Sequence, residues 1–97
     1  MKYYFYILRS QANAEFYLGQ TANLEERIIR HNHKRSKYTR SGVPWILVYY
    51  EVFLSRKDAI NRERFLKSPQ GWQTLQQIKQ HLVRNIAQPV PKGSLRD

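Results

Sequence analysis

Two short runs of aromatic and aliphatic residues constrain the fold of this chain most strongly. One occupies residues 3–8, and the other extends from Trp45 to Tyr50. Runs of about six such residues are typical of buried β-strands. Both are far shorter than the roughly 20 residues that a membrane span needs. We therefore expect strands in a small folded domain without a membrane segment.

The polar segments around the first run predict a hairpin and a helix. A strand over Lys2–Arg9 and a second strand that ends at Gly19 flank the polar turn Gln11–Ala14, which is the pattern of a β-hairpin. Asn23 and Glu26 then form an N-x-x-E capping box. We expect the first helix to run from there to about His31.

The second half of the chain predicts one more strand and two helices. The strand covers Trp45–Phe53, and its apolar first half predicts a central position in the sheet. Ser55-x-x-Asp58 caps a helix to about Lys67. A third helix follows from the helical spacing of Trp72, Leu75, Ile78, Leu82, Val83 and Ile86.

The order β-β-α-β-α-α predicts an α+β fold, in which helices flank a small three-stranded sheet, mixed or antiparallel. The 97-residue length is typical of one domain, which we place at residues 1–86. Residues 87–97 hold two prolines, a glycine and no apolar periodicity, so we expect a flexible C-terminal tail.

Composition excludes several classes of chemistry and favours one class of partner. The chain has no cysteine, which excludes disulfides, zinc-thiolate sites, iron–sulfur clusters and a cysteine nucleophile. No signal-peptide pattern is present, so we expect a cytoplasmic protein. Lys and Arg number 17 against 7 acids, a net charge of +10. A folded domain with this charge favours a polyanionic partner, first of all nucleic acid.

The basic residues are concentrated in one segment. Between residues 27 and 40 there is no acid, and lysines and arginines in such density suit contact with phosphates. A solvated basic loop is an equally simple interpretation. The candidates for nucleic-acid binding are Arg30, Lys34, Arg35, Lys37 and Arg40.

Two predicted helices each carry polar residues beside apolar neighbours. Glu63 shares a helix face with Ala59 and Leu66, where a carboxylate is costly unless it is paired or holds a metal ion. An ion pair with Lys67 or Arg56 would be a purely structural explanation. Arg27 and His31 lie one turn apart beside the apolar side of the first helix, where a surface cation and a helix-dipole partner are the simpler interpretations.

These residues occur within an ordered series of motifs. The series is Tyr4-Phe5-Tyr6, then Tyr17-Leu18-Gly19, then Asn23 to Arg27 with His31-Asn32, then Pro44-Trp45 and Ala59-x-x-x-Glu63. It resembles the GIY-YIG nuclease superfamily, in particular its small single-domain bacterial branch related to the N-terminal nuclease module of UvrC. The resemblance covers about residues 2–68.

The resemblance implies a site and a cofactor. Tyr6 and Tyr17 would be the signature tyrosines, Arg27 the catalytic arginine, His31 a further catalytic residue, and Glu63 the metal-binding glutamate. A single Mg²⁺ or Mn²⁺ ion would assist phosphodiester hydrolysis. This chain departs from the family pattern at Tyr4, where the first triplet usually has glycine, and at Gln20, where a lysine often follows the second triplet.

Three hypotheses follow. The first is a metal-dependent endonuclease acting on DNA rather than RNA, with structured or repair-intermediate DNA as a candidate substrate and a protein partner as a source of specificity. The second is a nucleic-acid-binding module of the same fold that is weakly active or inactive. The third is a basic protein-interaction domain with Tyr and Arg anchors. Salt-dependent nucleic-acid binding separates the third from the others, and metal-dependent nicking separates the first two.

Overall fold

The apolar runs and capping motifs form the expected elements in the expected order. A computed structural model describes residues 1–33 and 37–84. Its helices and strands are β1 (Tyr3–Ser10), β2 (Phe16–Thr21), α1 (Leu24–Asn32), β3 (Trp45–Phe53), α2 (Arg56–Leu66) and α3 (Trp72–Leu82). Short 3₁₀ turns at Arg40–Gly42 and Pro69–Gly71 precede β3 and α3. The predicted tail at 87–97 lies outside the described residues.

The sheet is antiparallel throughout, and its central strand is β1. The strand order is β2-β1-β3, so β1 pairs with both other strands. The prediction that β3 is central was wrong. Residues 5–8 of β1 are all buried, whereas β3 exposes about half of Tyr50 and Val52. β1 is buried on both faces, and β3 lies at an edge with part of one face in solvent.

Helices cover both faces of the sheet, so consecutive residues of β1 belong to different layers. Phe5 and Ile7 pack with Leu66, Leu75 and other residues of the layer formed by α2 and α3. On the opposite face lie Tyr6 and Leu8, together with Trp45 and the partly buried Leu24 and Ile28 of α1. This alternation follows from the two-residue period of a strand. The face that carries Tyr6 positions the candidate site.

The caps of α1 and α2 confirm the predicted helix starts. The Asn23 side chain accepts a hydrogen bond from the Glu26 amide at 3.1 Å, and Ser55 accepts one from the Asp58 amide at 3.3 Å. Each bond satisfies an amide that has no partner within its helix. α2 ends at Leu66.

Two expected core residues of the third helix lie at the surface, Trp72 and also Val83, which directly follows α3 and is 38% exposed, while Ile86 lies outside the described residues. Trp72 is 62% exposed, although its spacing assigns it to the apolar face of the helix, while Leu75 and Leu82 are buried as expected. Trp72 is the first residue of α3 and directly follows the 3₁₀ turn. Helical periodicity gives every turn the same weight, but here the first residue does not reach the core.

An ion pair joins the edge strand to α2. Arg62 donates to both carboxylate oxygens of Glu51, at 2.8 and 3.0 Å, and the Tyr49 hydroxyl donates to the same carboxylate at 2.6 Å. Burial opposes ionisation of Glu51, but the hydrogen bonds from Arg62 and Tyr49 outweigh it, so the pKa of Glu51 is lowered. Among the described residues, no helix is long and apolar enough to cross a bilayer.

Candidate active site

Tyr6 lies in the middle of the central strand, directly opposite Gly19 of β2. Its side chain is fully buried. A Cβ atom at position 19 would come within 2.5 Å of the Tyr6 hydroxyl oxygen and 2.6 Å of Cζ. The missing side chain at Gly19 therefore gives the Tyr6 ring the space to extend across β2. This is a structural reason for the glycine of the second motif.

His31 is buried beneath Tyr6 and is hydrogen-bonded at both ring nitrogens. Its Nε2 lies 3.1 Å from the Tyr6 hydroxyl oxygen, and its Nδ1 lies 2.8 Å from Thr39 Oγ1. Burial, with the positive charges of Arg27 and Arg30, lowers the pKa of His31 to about 4. The imidazole is therefore neutral at pH 7. Its burial and these contacts exclude the interpretation of His31 as a surface helix-dipole partner.

Tyr17 completes a cluster of rings on the same face of the sheet. Its ring centroid is 4.7 Å from that of His31 and 6.3 Å from that of Tyr6. Tyr17 is half-buried, whereas Tyr6 and His31 are inaccessible. Of the three rings, Tyr17 is the one with part of its surface open to a ligand.

Arg27 directs its charge toward the Tyr6 hydroxyl. Burial raises the pKa of Tyr6 above the usual range of a phenol, and Tyr17 adds to this, while the positive charge of Arg27 acts in the opposite direction. The Nε atom of Arg27 is buried and has no hydrogen-bond partner within the described residues. No described carboxylate forms a salt bridge with Arg27. Arg27 therefore keeps a donor group that the described residues do not satisfy.

Glu63 of α2 lies within electrostatic range of Tyr6. Its negative charge also raises the pKa of Tyr6. Its side chain is 23% exposed and forms an ion pair with Lys67, with 2.6 Å between Oε2 and Nζ. Of the two partners considered from the sequence, Lys67 is the one that pairs. The structure thus brings Tyr6, Tyr17 and His31 into contact, and it places Arg27 and Glu63 within electrostatic range of Tyr6.

Glu63 is also the residue suited to a metal ion. Within residues 1–33 and 37–84, no group of three or more His, Asp or Glu side chains converges as a ligand set. Mg²⁺ in nuclease-type sites keeps several waters and uses only one or two carboxylates. The half-buried carboxylate of Glu63 fits that mode of binding. The described residues around Glu63 do not fit a metal ion that is enclosed by protein ligands.

Three supporting residues were not recognised as functional from the sequence. Trp45 Nε1 donates to the Thr39 carbonyl at 2.6 Å. The Asn32 side chain pairs with the backbone of Trp45, accepting from its amide at 2.6 Å and donating to its carbonyl at 2.9 Å. These bonds tie the segment that carries Thr39 to α1 and β3. Asn32 and Trp45 fall within the quoted motifs, but no pattern in a single sequence marks Thr39.

The candidates for nucleic-acid binding lie apart from this buried cluster. Arg30, Lys37 and Arg40 are exposed. Arg30 approaches Glu26 at 3.9 Å, which is a weak surface pair. Lys34 and Arg35 lie outside the described residues. The described part of the basic segment therefore presents cations to solvent on the side of the fold that carries His31.

The chain matches a known protein family over most of its length. The GIY-YIG catalytic domain matches residues 2–76, which include every residue of the cluster. The chain belongs to the GIY-YIG family. This family is a nuclease superfamily whose members generally use a divalent metal ion.

The GIY-YIG domain is also similar to small bacterial proteins named UPF0213. It is 40% identical over 80 residues to one from Staphylococcus haemolyticus, covering 81% of this chain and 96% of that protein. It is 39% identical over 82 residues to one from Clostridium perfringens, covering 84% and 87%. A solution NMR structure of a UPF0213 protein from Bacillus halodurans is 32% identical, with a TM-score of 0.48 over 81% of this chain and 86% of that chain.

Proposed function

We propose that this GIY-YIG domain is a divalent-metal-dependent endonuclease that hydrolyses phosphodiester bonds in DNA. The observation that carries the proposal is a ring cluster, with a buried tyrosine hydrogen-bonded to a histidine, that lies within electrostatic range of a half-buried carboxylate and of an arginine that no described carboxylate pairs with. Phosphodiester hydrolysis needs a positioned water, a cation for the growing phosphoryl charge and help for the leaving oxygen.

Arg27 is assigned to the phosphate. A guanidinium grips two phosphoryl oxygens through a rigid fork and stays charged at any physiological pH. The buried Nε of Arg27 lacks a partner in the described structure, so a phosphate oxygen would satisfy it. Binding there would also bring the scissile phosphate next to Tyr6 and Tyr17.

Tyr17 is assigned as the base that activates water, and Tyr6 as its orienting partner. Tyr6 is fully buried and its pKa is raised, so it holds its proton strongly and cannot contact bulk water. Tyr17 is half-exposed and lies beside the same rings. His31 is assigned to the hydrogen bond that fixes the Tyr6 hydroxyl.

Glu63 is assigned to the metal ion. When bound, a divalent ion supplies Lewis-acid stabilisation at the phosphate and its leaving oxygen. In the structure Lys67 neutralises the Glu63 carboxylate, so Lys67 has to give up this ion pair for Glu63 to become a ligand. The Lys67 ammonium, which sits on a flexible side chain, would then be free to contact a phosphate.

The decisive experiment exposes labelled duplex, single-stranded and branched DNA to the pure protein with Mg²⁺, Mn²⁺ or a chelator. The proposal predicts cleavage with metal and none with chelator. Matched RNA substrates test the preference for DNA. Absence of cleavage on every substrate, with binding retained, would favour the alternative of a nucleic-acid-binding module. The close Lys67–Glu63 ion pair is the observation that favours that alternative.

Glu63→Gln separates the metal site from the fold. The amide keeps the size of the side chain but removes the charge that would hold the ion. We expect cleavage to be lost while DNA affinity in chelator stays close to that of the unmodified protein. Glu25→Gln, an exposed acid on α1, is the matched control. Full cleavage by Glu63→Gln at ordinary Mg²⁺ concentration would reduce Glu63 to a structural partner of Lys67.

A further inference from the structure

His31 lies between two buried hydroxyl groups, that of Tyr6 and that of Thr39. Tyr6, His31 and Thr39 have exposed fractions of 0%, 2% and 1%. The imidazole connects them, with Nε2 at 3.1 Å from the Tyr6 hydroxyl and Nδ1 at 2.8 Å from the Thr39 hydroxyl. Water does not reach this row of groups, so the two contacts decide how the ring protons are arranged.

A neutral imidazole has one donor and one acceptor nitrogen, so the row can adopt two arrangements. In the first, Nδ1–H donates to Thr39 and Nε2 accepts from Tyr6. In the second, Thr39 donates to Nδ1 and Nε2–H donates to Tyr6. The two arrangements differ in whether Nε2, the nitrogen that faces Tyr6, carries a lone pair or a proton.

Arg27 distinguishes the two arrangements. The positive charge of Arg27 acts on the Tyr6 hydroxyl, and a guanidinium can only donate, so Arg27 favours the arrangement that leaves the lone pairs of the phenol oxygen turned toward it. If Nε2 donated to Tyr6, the hydroxyl proton of Tyr6 would have no described partner. If Nε2 accepts, Tyr6 donates a hydrogen bond to His31 and presents its oxygen to the charge of Arg27.

Thr39 is held where it can accept this bond. Its carbonyl accepts from Trp45 Nε1 at 2.6 Å, and the Trp45 backbone is fixed by the side chain of Asn32, the neighbour of His31 on α1. The hydroxyl and the imidazole are thus attached to one hydrogen-bonded frame. Partners of this kind, on the far nitrogen of a functional histidine, set its tautomer and orientation.

We propose that Thr39 is a positioning residue that holds His31 in the tautomer protonated at Nδ1, so that Nε2 accepts a hydrogen bond from the Tyr6 hydroxyl. Thr39 then acts through His31 and Tyr6 and has no contact with the substrate. The consequence for cleavage rests on the proposed nuclease function. The tautomer itself does not, and it can be measured without metal or DNA.

The test is the ¹⁵N spectrum of the histidine side chains in the labelled protein at pH 7. We expect His31 to show a protonated Nδ1 and an unprotonated Nε2. Thr39→Val keeps the shape of the side chain but lacks the hydroxyl, and it should shift His31 toward the Nε2–H form. Thr39→Ser restores a hydroxyl and should restore the original spectrum. Thr74→Val makes the same change on α3 and should leave His31 unaffected.

Cleavage gives a second readout. Thr39→Val should lower the single-turnover rate by about 10-fold to 100-fold, with unchanged DNA affinity in chelator and recovery in Thr39→Ser. The Nε2–H tautomer in the unmodified protein, or an unchanged tautomer in folded Thr39→Val, would overturn the inference. If Thr39→Val does not fold, the spectra of the unmodified protein and of Thr39→Ser decide. A protein that never cleaves but shows the expected tautomers would contradict the nuclease proposal alone.

Discussion

Tyr6 and Tyr17 carry the same hydroxyl group in different surroundings. One is sealed between Gly19, His31 and Arg27, and the other retains access to solvent. Phenylalanine removes the hydroxyl and keeps the ring. Loss of a positioned base costs about 10²–10⁴-fold in rate, so Tyr17→Phe should lose this much in single-turnover cleavage and Tyr6→Phe less. Binding in chelator serves as the control, and the opposite ranking would assign the base to Tyr6.

His31 makes the stability of the protein depend on pH. Its pKa is about 4 in the fold and about 6.5 in an unfolded chain, so the unfolded state binds more protons between these values. Stability is therefore complete above pH 6.5 and falls as the pH drops toward 4, by no more than about 3 kcal/mol. Urea unfolding at several pH values measures this loss. His33→Gln changes an exposed histidine and should lose the same stability as the pH falls. If the unfolding free energy of this variant did not change with pH, the loss of stability would belong to His33 instead.

The contact between β3 and α2 depends on one ion pair. Glu51→Gln replaces the charged partner of the half-buried Arg62 with a neutral amide. The substitution should lower the free energy of unfolding by about 1–3 kcal/mol, which is less than the loss expected for a fully buried ion pair. The pKa of Glu51 is lowered in the fold, so its contribution is present above the normal carboxyl range and disappears as the pH falls through the lowered value. The difference in unfolding free energy between the two proteins should therefore vanish in acid. Glu25→Gln is the control, and a difference that persists in acid would point to packing.

Element types and boundaries follow from local patterns, but neighbours in the sheet do not. The capping residues Asn23 and Ser55 marked the helix starts because their bonds are made within a few residues. β1 and β3 are both rich in apolar residues, and the central position of β1 depends on pairing with strands distant in the chain. The burial of His31 has the same origin, because its partners are 25 and 8 residues away.

At the scale of the whole molecule, the net charge of +10 predicts how binding responds to salt. Replacing the exposed Arg30, Lys37 and Arg40 with glutamine should reduce the slope of log K against log salt by about 2–3, since each phosphate contact releases counterions. Changing Lys34 and Arg35, which lie outside the described residues, should reduce it further. Titration of labelled DNA in chelator at several salt concentrations measures the slope.

The control removes the same charge elsewhere. Lys2, Lys57 and Arg64 are also exposed, and the triple glutamine variant at these positions should change the slope less. Equal changes in the two triple variants would show that DNA responds to net charge alone. In that case the basic segment would be the solvated surface that the sequence equally allows.

The alternation along β1 has a consequence for how such a domain can change over generations. Phe5 and Ile7 pack against the helices of one layer, while Tyr6, between them in the chain, belongs to the layer of the candidate site. A one-residue insertion in β1 would exchange the two sets, losing stability and activity in one step. The exposed turn at Gln11–Ala14 carries no such double duty. New substrate preferences should therefore arise more readily in that turn, while β1 tolerates little variation.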